Sequence, residues 1–405
     1  MNKNFLKVVF SEMIRIVTFP LRILPVKKNR ILFTGLTGGN VYDYSCNPKY
    51  LYEYLRDNYA GQFEFVWAVK DKNMYHFLEE EGVKLVKHFT VSSFRFLLTS
   101  KVIVTNGSYT PWFPFRKKQY VINTWHGGGA YKKVENAKPD SDWATRKRAE
   151  FCADNIDLFL ASCKVQEQNM IRTTYQYKGD VLQAGTPRND KLVRGDIEEL
   201  AHKVREKYNI PPNGKIVLYA PTYRQTNIPV VMDSDYLLKQ LNKMQFLCGT
   251  TSQNNICGSE ENVEWFFMSR YHRYQDDSMD IKVTGEHVID VLHYPDMQEL
   301  LCAADLLITD YSSCIWDYAF LKRPCYLFVP DREEYTANTG FYVGLEDWPF
   351  EQALNMEELV QNIENCNLEQ IENQIALHLK KLGSYETGKC CQEICEKICD
   401  VCCLN

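Results

Sequence analysis

Short apolar runs alternate with amphipathic stretches along most of the chain. Compact apolar runs bounded by polar turns are typical of buried parallel strands, and apolar positions three and four residues apart are typical of helices. The alternation predicts an α/β protein with helices on both faces of parallel sheets. The predicted strands span residues 31–34, 63–69, 83–86, 102–106, 120–124, 158–162, 181–184, 216–219, 263–268, 288–292, 306–309 and 325–329. The predicted helices span residues 48–58, 74–81, 92–99, 197–208, 236–244, 297–304 and 315–321.

A break near the middle of the chain divides this alternation into two series. The charged helix over residues 197–208 is followed by Pro211-Pro212-Asn213-Gly214, a sequence that interrupts regular structure. We therefore predict two domains, over residues 30–194 and 195–380, each with its own sheet. Residues 381–405 form a cysteine-rich helix after the second domain, and residues 1–29 form a separate segment before the first.

The N-terminal segment combines basic and apolar positions. Its uncharged run, Ile16 to Leu21, is too short for a transmembrane helix, which needs about 20 apolar residues, and no signal-peptide pattern is present. The pattern predicts a basic amphipathic helix that ends at Pro20 or Pro25 and lies in a membrane surface. The alternative is a helix packed on the protein's own core. The first 30 residues hold one acid, Glu12, against Lys3, Lys7, Arg15, Arg22, Lys27, Lys28 and Arg30.

Composition narrows the possible functions. The 405 residues are 24% charged with a formal net charge of -5, which fits a soluble globular protein and gives no case for a nucleic-acid partner. The fifteen cysteines are odd in number and mostly scattered in apolar runs, so we expect reduced thiols. The C-terminal cysteines have no matching pair at zinc spacing. A stripe of small apolar residues against the core is favoured for them over metal binding or acylation.

In the first half of the chain, the candidate catalytic residues lie just after a predicted strand. Trp125 and His126 follow residues 120–124, and Gly127, Gly128 and Gly129 come next. Ligands of parallel α/β sheets bind outside the carboxyl ends of the strands. Histidine is suited to proton transfer near neutral pH, and glycine lets a backbone approach a ligand closely. The alternative is a glycine-rich turn with a structural histidine.

Anion-binding residues follow several other predicted strands. Arg188 follows residues 181–184, and guanidinium binds phosphate in a bidentate manner. In the second half, hydroxyls, arginines and a histidine at three strand ends suit a diphosphate, although Ser312 or Ser313 alone would also fit a helix N-cap. Asp317, one helical turn after Ser313, suits a polyol or ribose hydroxyl. The three strand ends carry Pro221, Thr222 and Arg224; Arg270, Tyr271 and His272; and Asp310, Ser312 and Ser313.

Taken together, these motifs resemble those of the CDP-glycerol glycerophosphotransferases of wall teichoic acid synthesis. The resemblance covers roughly residues 30–401. It rests on Trp125-His126-Gly127, Gly185-Thr186-Pro187-Arg188, Ala220-Pro221-Thr222-Tyr223-Arg224, Arg270-Tyr271-His272 and Thr309-Asp310-Tyr311-Ser312-Ser313. The chain departs from the family's usual pattern at Gly128, where threonine is usual, and at Arg273, where proline is usual.

The resemblance implies a GT-B architecture, in which two Rossmann-like domains enclose a cleft. It implies a CDP-glycerol or CDP-ribitol donor and a lipid-linked polyol phosphate or glycan acceptor, with the enzyme peripheral on the cytoplasmic face of the plasma membrane. His126 would act as general base with His272 as the second catalytic histidine. Mg²⁺ is possible but not essential. The donor would be held mainly by the second domain. The residues that would hold it are Arg188, Thr222, Arg270, His272, Ser312, Ser313 and Asp317.

Two rival interpretations assign the chain to other functional classes. A nucleotide-sugar glycosyltransferase of the same fold is the first, but the paired glutamates common in retaining enzymes of that class are missing between Asp317 and Glu358. A membrane-recruited scaffold with a decayed site is the second. It would be expected to lack the two histidines, His126 and His272, and both are present.

Overall fold

The computed structural model describes residues 3–37, 41–107, 113–138, 141–222, 224, 230–248, 263–271 and 284–403. The chain divides into two compact units, Met1–Asp190 with Gly383–Asn405 and Lys191–Leu382. Each unit contains a mainly parallel sheet with helices, so the expected α/β class with two Rossmann-like units is confirmed. The boundary between the units falls after Asp190 rather than residue 194. The C-terminal residues, expected to form a segment of their own, belong to the first unit.

The first unit is built on a sheet with strand order β4-β3-β1-β5-β6-β7-β8, and β2 pairs antiparallel with β1. The register of β1, β3, β5 and β6 brings the carboxyl ends of neighbouring strands to one edge. The strands are β1 (Lys27–Thr37), β2 (Val41–Asp43), β3 (Glu64–Val69), β4 (Lys84–Lys87), β5 (Ser100–Thr105), β6 (Tyr120–Asn123), β7 (Leu158–Leu160) and β8 (Asp180–Leu182).

Helices of the first unit include the expected N-terminal helix, which ends before Pro20 and runs on into a 3₁₀ turn, Phe19–Ile23. A π-helix, Gln166–Thr174, follows β7. The sheet core is aromatic: the rings of Phe33 and Trp67 stack at 5.3 Å. The α-helices that precede the second unit are α1 (Lys3–Thr18), α2 (Cys46–Asn58), α3 (His76–Glu80), α4 (Val91–Thr99) and α5 (Trp143–Asp154).

The second unit has a parallel sheet of order β11-β10-β9-β12-β13-β14. Its strands are β9 (Lys215–Tyr219), β10 (Trp265–Ser269), β11 (Val288–Asp290), β12 (Leu306–Thr309), β13 (Cys325–Phe328) and β14 (Glu351–Ala353). All four residues of β12 are buried, as a strand covered on both faces requires. The helices are α6 (Asp190–Arg194), α7 (Glu198–Lys207), α8 (Ser234–Cys248), α9 (Met297–Ala303), α10 (Cys314–Ala319), α11 (Arg332–Thr339), α12 (Met356–Glu364) and α13 (Leu368–Leu382).

The last helix, α14 (Cys390–Cys402), packs into the core of the first unit. Its N-terminus is capped by Asp190, whose carboxylate accepts from the N–H groups of Cys390 at 2.9 Å and Cys391 at 2.8 Å. The expectation of a cysteine stripe against the core is confirmed, with Cys399 only half-buried and Cys391, Cys395 and Cys402 buried. Burial raises the pKa of the Cys402 thiol to about 11, which keeps it protonated and unreactive at neutral pH.

The observed elements follow the sequence prediction closely, with end differences of a few residues. The sequence analysis did not predict β2, α5, α6, α11, α12, α13, β14 or the π-helix. None of the helices in the described part of the chain combines the length and the apolar character needed to cross a bilayer.

The packing of α14 predicts its contribution to stability. Ile394 is fully buried in the core of the first unit, whereas Lys397 on the same helix is exposed. Ile394→Ala should cost about 2–5 kcal/mol of the free energy of unfolding, the usual effect of removing a large buried side chain. Lys397→Ala should change that free energy by less than about 0.5 kcal/mol. Urea unfolding followed by tryptophan fluorescence tests this, and equal midpoints for the two variants would contradict it.

Candidate active site

His126 lies in the loop that follows β6, at the carboxyl edge of the first sheet. Its Nδ1 is 2.7 Å from the carbonyl oxygen of Asn106, which follows β5. A carbonyl only accepts, so the Nδ1 proton is donated to it, and the neutral ring keeps its lone pair on Nε2. The indole of Trp125 stacks on the imidazole at 4.6 Å. This arrangement fixes the tautomer and orientation that a general base needs.

The surroundings of His126 favour the neutral ring. Part of the residue is exposed to solvent, yet the pKa of the imidazole is lowered, first by desolvation, with the positive charges of Arg188 and Lys132 adding to the effect. The hydrogen bond to Asn106 and the charge of Glu135 raise the pKa and only partly offset this lowering. An imidazole with a lowered pKa is unprotonated at neutral pH and free to accept a proton.

The glycines after His126 are held in place by hydrogen bonds. Gly129, at φ 70°, donates its N–H to Ser162 Oγ at 3.0 Å, and Gln166 Nε2 donates to the carbonyl of Gly127 at 3.0 Å. Ser162 and Gln166 are themselves joined at 2.7 Å. Gly128 is buried. The sequence analysis expected these glycines to let the backbone approach a ligand closely; the structure shows that Ser162 and Gln166 hold the loop through these hydrogen bonds.

Trp125 adopts a backbone conformation that is rare for a bulky residue. Its φ of 52° places it in the left-handed region, and Cys46, which begins α2, is there as well with φ 58°. Such conformations cost on the order of 1–3 kcal/mol and persist only where the surroundings enforce them, commonly at functional sites. Here the buried amide of Asn47 contacts the carbonyls of Thr124 and Trp125.

Arg188 belongs to the first unit and lies beside His126. Its side chain is largely buried, and Nη1 donates to the carbonyl of His126 at 2.7 Å and to Cys46 Sγ at 3.1 Å. The sequence analysis assigned Arg188 to the donor phosphates. The structure gives its guanidinium a definite place beside the histidine, where it fixes the backbone and lowers the pKa of the ring.

The second unit brings the predicted strand ends together, because β9 lies between β10 and β12. Thr222, after β9, donates its N–H to both carboxylate oxygens of Asp310, after β12, at 2.9 Å each. Arg270, after β10, donates its N–H to the carbonyl of Tyr219, the last residue of β9, at 2.8 Å. The three loops therefore form one cluster at the carboxyl edge of this sheet.

Arg224 has a different role from the expected substrate contact. Its side chain is 5% exposed and forms ion pairs with Asp310 at 2.8 Å and Asp331 at 2.6 Å. The guanidinium also lies over the rings of Tyr311 and Tyr335, at 5.0 and 4.8 Å. A cation so fully paired supports the loops around it. Asp310 likewise serves as an internal anchor, being 1% exposed.

Two further expected ligands are buried inside the second unit. Tyr271 is 9% exposed and packs edge-on against Tyr219 in the core. Asp317 is 2% exposed, and its carboxylate accepts from Gln298 Nε2 of α9 at 2.9 Å. The expectation that Asp317 faces the same side as the serine turn neglected α9, which packs there. The structure therefore does not present Tyr271 or Asp317 to a substrate.

The remaining polar candidates of the cluster are better placed for an anion. Ser312 and Ser313 are half-buried; Ser312 Oγ accepts from the N–H of Cys314, and the Ser313 hydroxyl makes no capping bond to α10. Thr222, next to the buried Pro221, has a buried hydroxyl that lacks a hydrogen-bond partner among the described residues. Arg270 is half-buried and anchored through Nη1 to the carbonyl of Tyr294 at 2.7 Å. His272 lies outside the described residues.

Several residues that complete the site were missed by the sequence analysis. Asn106 directly follows β5, so the rule that placed His126 at a strand end would have found it. Asp331 lies three residues after the end of β13, so the same rule points to it as well. Asn47 gave no such signal, because it reads as part of the first turn of a helix. In the described part of the chain, no group of three or more His, Cys, Asp or Glu side chains is arranged to hold a metal ion.

Comparison with known proteins identifies relatives of this chain. The chain is 29% identical over 347 residues to a teichoic acid poly(glycerol phosphate) polymerase of Bacillus spizizenii, covering 83% of this chain and 84% of the relative. It is 27% identical to a teichoic acid glycerol-phosphate transferase of Staphylococcus aureus, covering 98% of this chain and 100% of the relative. It spans 45% and 50% of the length of two other curated relatives that it matches.

A solved structure also matches the fold of this chain. The wall teichoic acid polymerase TagF, in a variant crystal soaked with CDPG, matches with a TM-score of 0.77 at 25% identity, covering 99% of this chain and 98% of that chain. This match agrees with the expected GT-B class. The family model described as CDP-glycerol:poly(glycerophosphate) glycerophosphotransferase matches residues 16–400. The chain therefore belongs to the CDP-glycerol:poly(glycerophosphate) glycerophosphotransferase family.

Proposed function

We propose that this protein transfers glycerol phosphate from CDP-glycerol to a hydroxyl of a teichoic acid or capsule-type acceptor and releases CMP. The observation that carries the proposal is the neutral, oriented His126 in a chain of this family. The acceptor is a lipid-linked polyol phosphate or glycan. The relatives include ribitol-phosphate enzymes, so CDP-ribitol is the second donor to test.

In this reaction His126 acts as the general base. Its Nε2 takes the proton of the acceptor hydroxyl while the hydroxyl oxygen attacks the phosphorus next to glycerol. A new phosphorus–oxygen bond forms, the bond to the bridging oxygen of the diphosphate breaks, and CMP leaves. Asn106 stabilises the imidazolium that results, because its carbonyl accepts from the Nδ1 proton.

We assign donor binding to the polar groups of the second unit. Thr222, Ser312 and Ser313 offer hydroxyls at adjacent strand ends, and Arg270 supplies a positive charge held by a backbone carbonyl. His272 follows in the sequence and is proposed to share this role. The positive charge comes from side chains in this proposal, so a bound metal is not essential to it.

The N-terminal helix supports a location on a membrane surface. The guanidinium of Arg15 lies over the ring of Phe151 on α5 at 5.6 Å, so the side of α1 that carries Arg15 faces the protein. The apolar side faces solvent: Val9, Phe10, Met13, Ile16 and Val17 are 40–73% exposed. An exposed apolar stripe on a basic helix is the pattern of interfacial helices. We propose that α1 lies in the cytoplasmic face of the plasma membrane.

The first prediction tests the reaction and its base. Purified protein should release CMP from CDP-glycerol in the presence of a lipid-linked acceptor, and should release neither UMP nor UDP from UDP-sugars. His126→Ala should lower turnover about 10²–10⁴-fold, the usual contribution of a general base, with little change in donor binding. His202→Ala, on the exposed surface of α7, is the matched control and should keep wild-type turnover.

Each possible result of that experiment has a clear meaning. Turnover of His126→Ala within about threefold of wild type would exclude His126 as the base. UDP release from a UDP-sugar would move the enzyme to the glycosyltransferases. Loss of wild-type activity in EDTA, restored by added Mg²⁺, would show that a metal carries charge that the proposal assigns to side chains.

The second prediction concerns pH. The pKa of His126 is lowered from its ordinary value of 6.5, first by desolvation, with Arg188 and Lys132 adding to the effect. Since only the neutral ring accepts a proton, the acidic limb of kcat/KM should lie below pH 6.5. Lys132→Gln removes one of these charges and should move the limb to higher pH, whereas Lys117→Gln, at an exposed site, should leave it unchanged. An unmoved limb in Lys132→Gln would contradict this assignment.

The third prediction concerns the membrane. Replacing Met13 and Val17 by glutamate should abolish co-sedimentation with vesicles that contain an anionic phospholipid, because it places two charges on the apolar stripe. Leu377→Glu is the control, since Leu377 is 68% exposed on α13 and Val17 is 73% exposed. Binding should weaken as salt is raised. Equal sedimentation of the α1 variant and the control would disprove the role of α1.

A further inference from the structure

Asn47 is a buried amide whose nitrogen and oxygen are both hydrogen-bonded to backbone groups close to His126. It is 0% exposed. Its Nδ2 donates to the carbonyls of Thr124 at 3.1 Å and Trp125 at 2.8 Å, and its Oδ1 accepts from the backbone N–H of Arg188 at 3.2 Å. The partners fix the orientation of the amide, because carbonyls only accept and a backbone N–H only donates.

These contacts surround the backbone of His126. The carbonyl of Trp125, which is bonded to the nitrogen of His126, is held by Asn47, and the carbonyl of His126 itself is held by Arg188 Nη1 at 2.7 Å. Asn47 in turn holds the backbone of Arg188. Trp125 has a left-handed φ of 52°. The hydrogen bond from Asn47 to its carbonyl helps to stabilise this unfavourable backbone conformation.

We infer that Asn47 is a positioning residue for the base: it holds the Trp125–His126 peptide and the Arg188 backbone so that the imidazole stays bonded to Asn106. The inference rests on the proposed role of His126 as general base. Asn47 contacts no reacting group. Its effect on the reaction passes through the placement of the His126 ring, and a displacement of about 1 Å in a catalytic group is enough to lower turnover on the order of 10²-fold.

The first unit offers a matched control at the opposite edge of the sheet. Gln119, just before β6, is 4% exposed, and its Nε2 donates to the carbonyls of Leu97 at 2.5 Å and Ser100 at 2.8 Å. Both amides therefore bridge two buried backbone carbonyls. Asn47→Ala and Gln119→Ala remove the same kind of contact, so a loss of stability is expected in both. A loss of turnover per folded molecule is expected only in Asn47→Ala.

The kinetic test is a double-mutant cycle on CMP release. Asn47→Ala should lower kcat about 10²-fold with little change in KM for CDP-glycerol. In the His126→Ala background, the same substitution should change the residual kcat by less than about threefold, because the group through which it acts is gone. Equal losses in the two backgrounds, or a loss of kcat in Gln119→Ala as large as in Asn47→Ala, would overturn the inference.

A second measurement is independent of activity. The protein has eight histidines, and the imidazole resonance of His126 in protein labelled with ¹⁵N-histidine is the one missing from His126→Ala. Asn47→Ala should shift that resonance and its titration midpoint, while Gln119→Ala should leave both unchanged. An unmoved His126 resonance in folded Asn47→Ala would disprove the inference. If the wild type failed to release CMP, the proposed function would fail and this arm would still decide the role of Asn47.

Discussion

The Asp190 carboxylate accepts hydrogen bonds from the first N–H groups of α14, and these bonds join the last helix to the rest of the first unit. They attach the end of the chain to the loop at residues 185–190, which carries Arg188. A second acid strengthens this attachment: Glu386 accepts from the N–H and hydroxyl of Thr186, both at 3.0 Å. Gly185 has φ 88°, and a Cβ there would collide with the Glu386 carboxylate, so only glycine fits. Through Arg188 this fixed loop reaches the carbonyl of His126.

The second unit uses a buried acid in the same way. Asp310 accepts two hydrogen bonds from the Thr222 backbone and pairs with Arg224, which also pairs with Asp331. A buried carboxylate is costly unless it is paired and fully hydrogen-bonded, and here both conditions are met. The acids at the strand ends thus shape the loops that carry Ser312, Ser313 and Arg270, which are half-buried.

The sequence predicted the two parallel sheets and the position of His126, because strand periodicity and the carboxyl-edge rule depend on neighbouring residues. It did not predict which side chains pair, because those contacts join distant segments. Asn47 and Arg188 are 141 positions apart, and Thr222 and Asp310 are 88 apart. Arg224 and Asp317 were therefore assigned to substrate from their residue types and their places in the sequence, although their partners lie in the protein. The left-handed backbone of Trp125 could not be predicted from the sequence either. Tertiary contacts enforce this conformation, which a tryptophan otherwise disfavours.

Positively charged side chains near His126 affect both the position of the residue and the pKa of its ring. Arg188 fixes the carbonyl of the residue and lowers the pKa of its ring, and Lys132 lowers the pKa as well. In the free enzyme these cations add to desolvation, the larger cause, in favouring the neutral imidazole. A polyol phosphate acceptor carries negative charge, and its binding beside the same cations would offset their effect and favour the imidazolium. The base would then be unprotonated before the acceptor binds and a stronger proton acceptor once it has bound. The acidic limbs of kcat/KM and kcat report these two states separately. In the proposed reaction, Arg188 would therefore both hold His126 in place and help to keep its ring unprotonated until the acceptor binds.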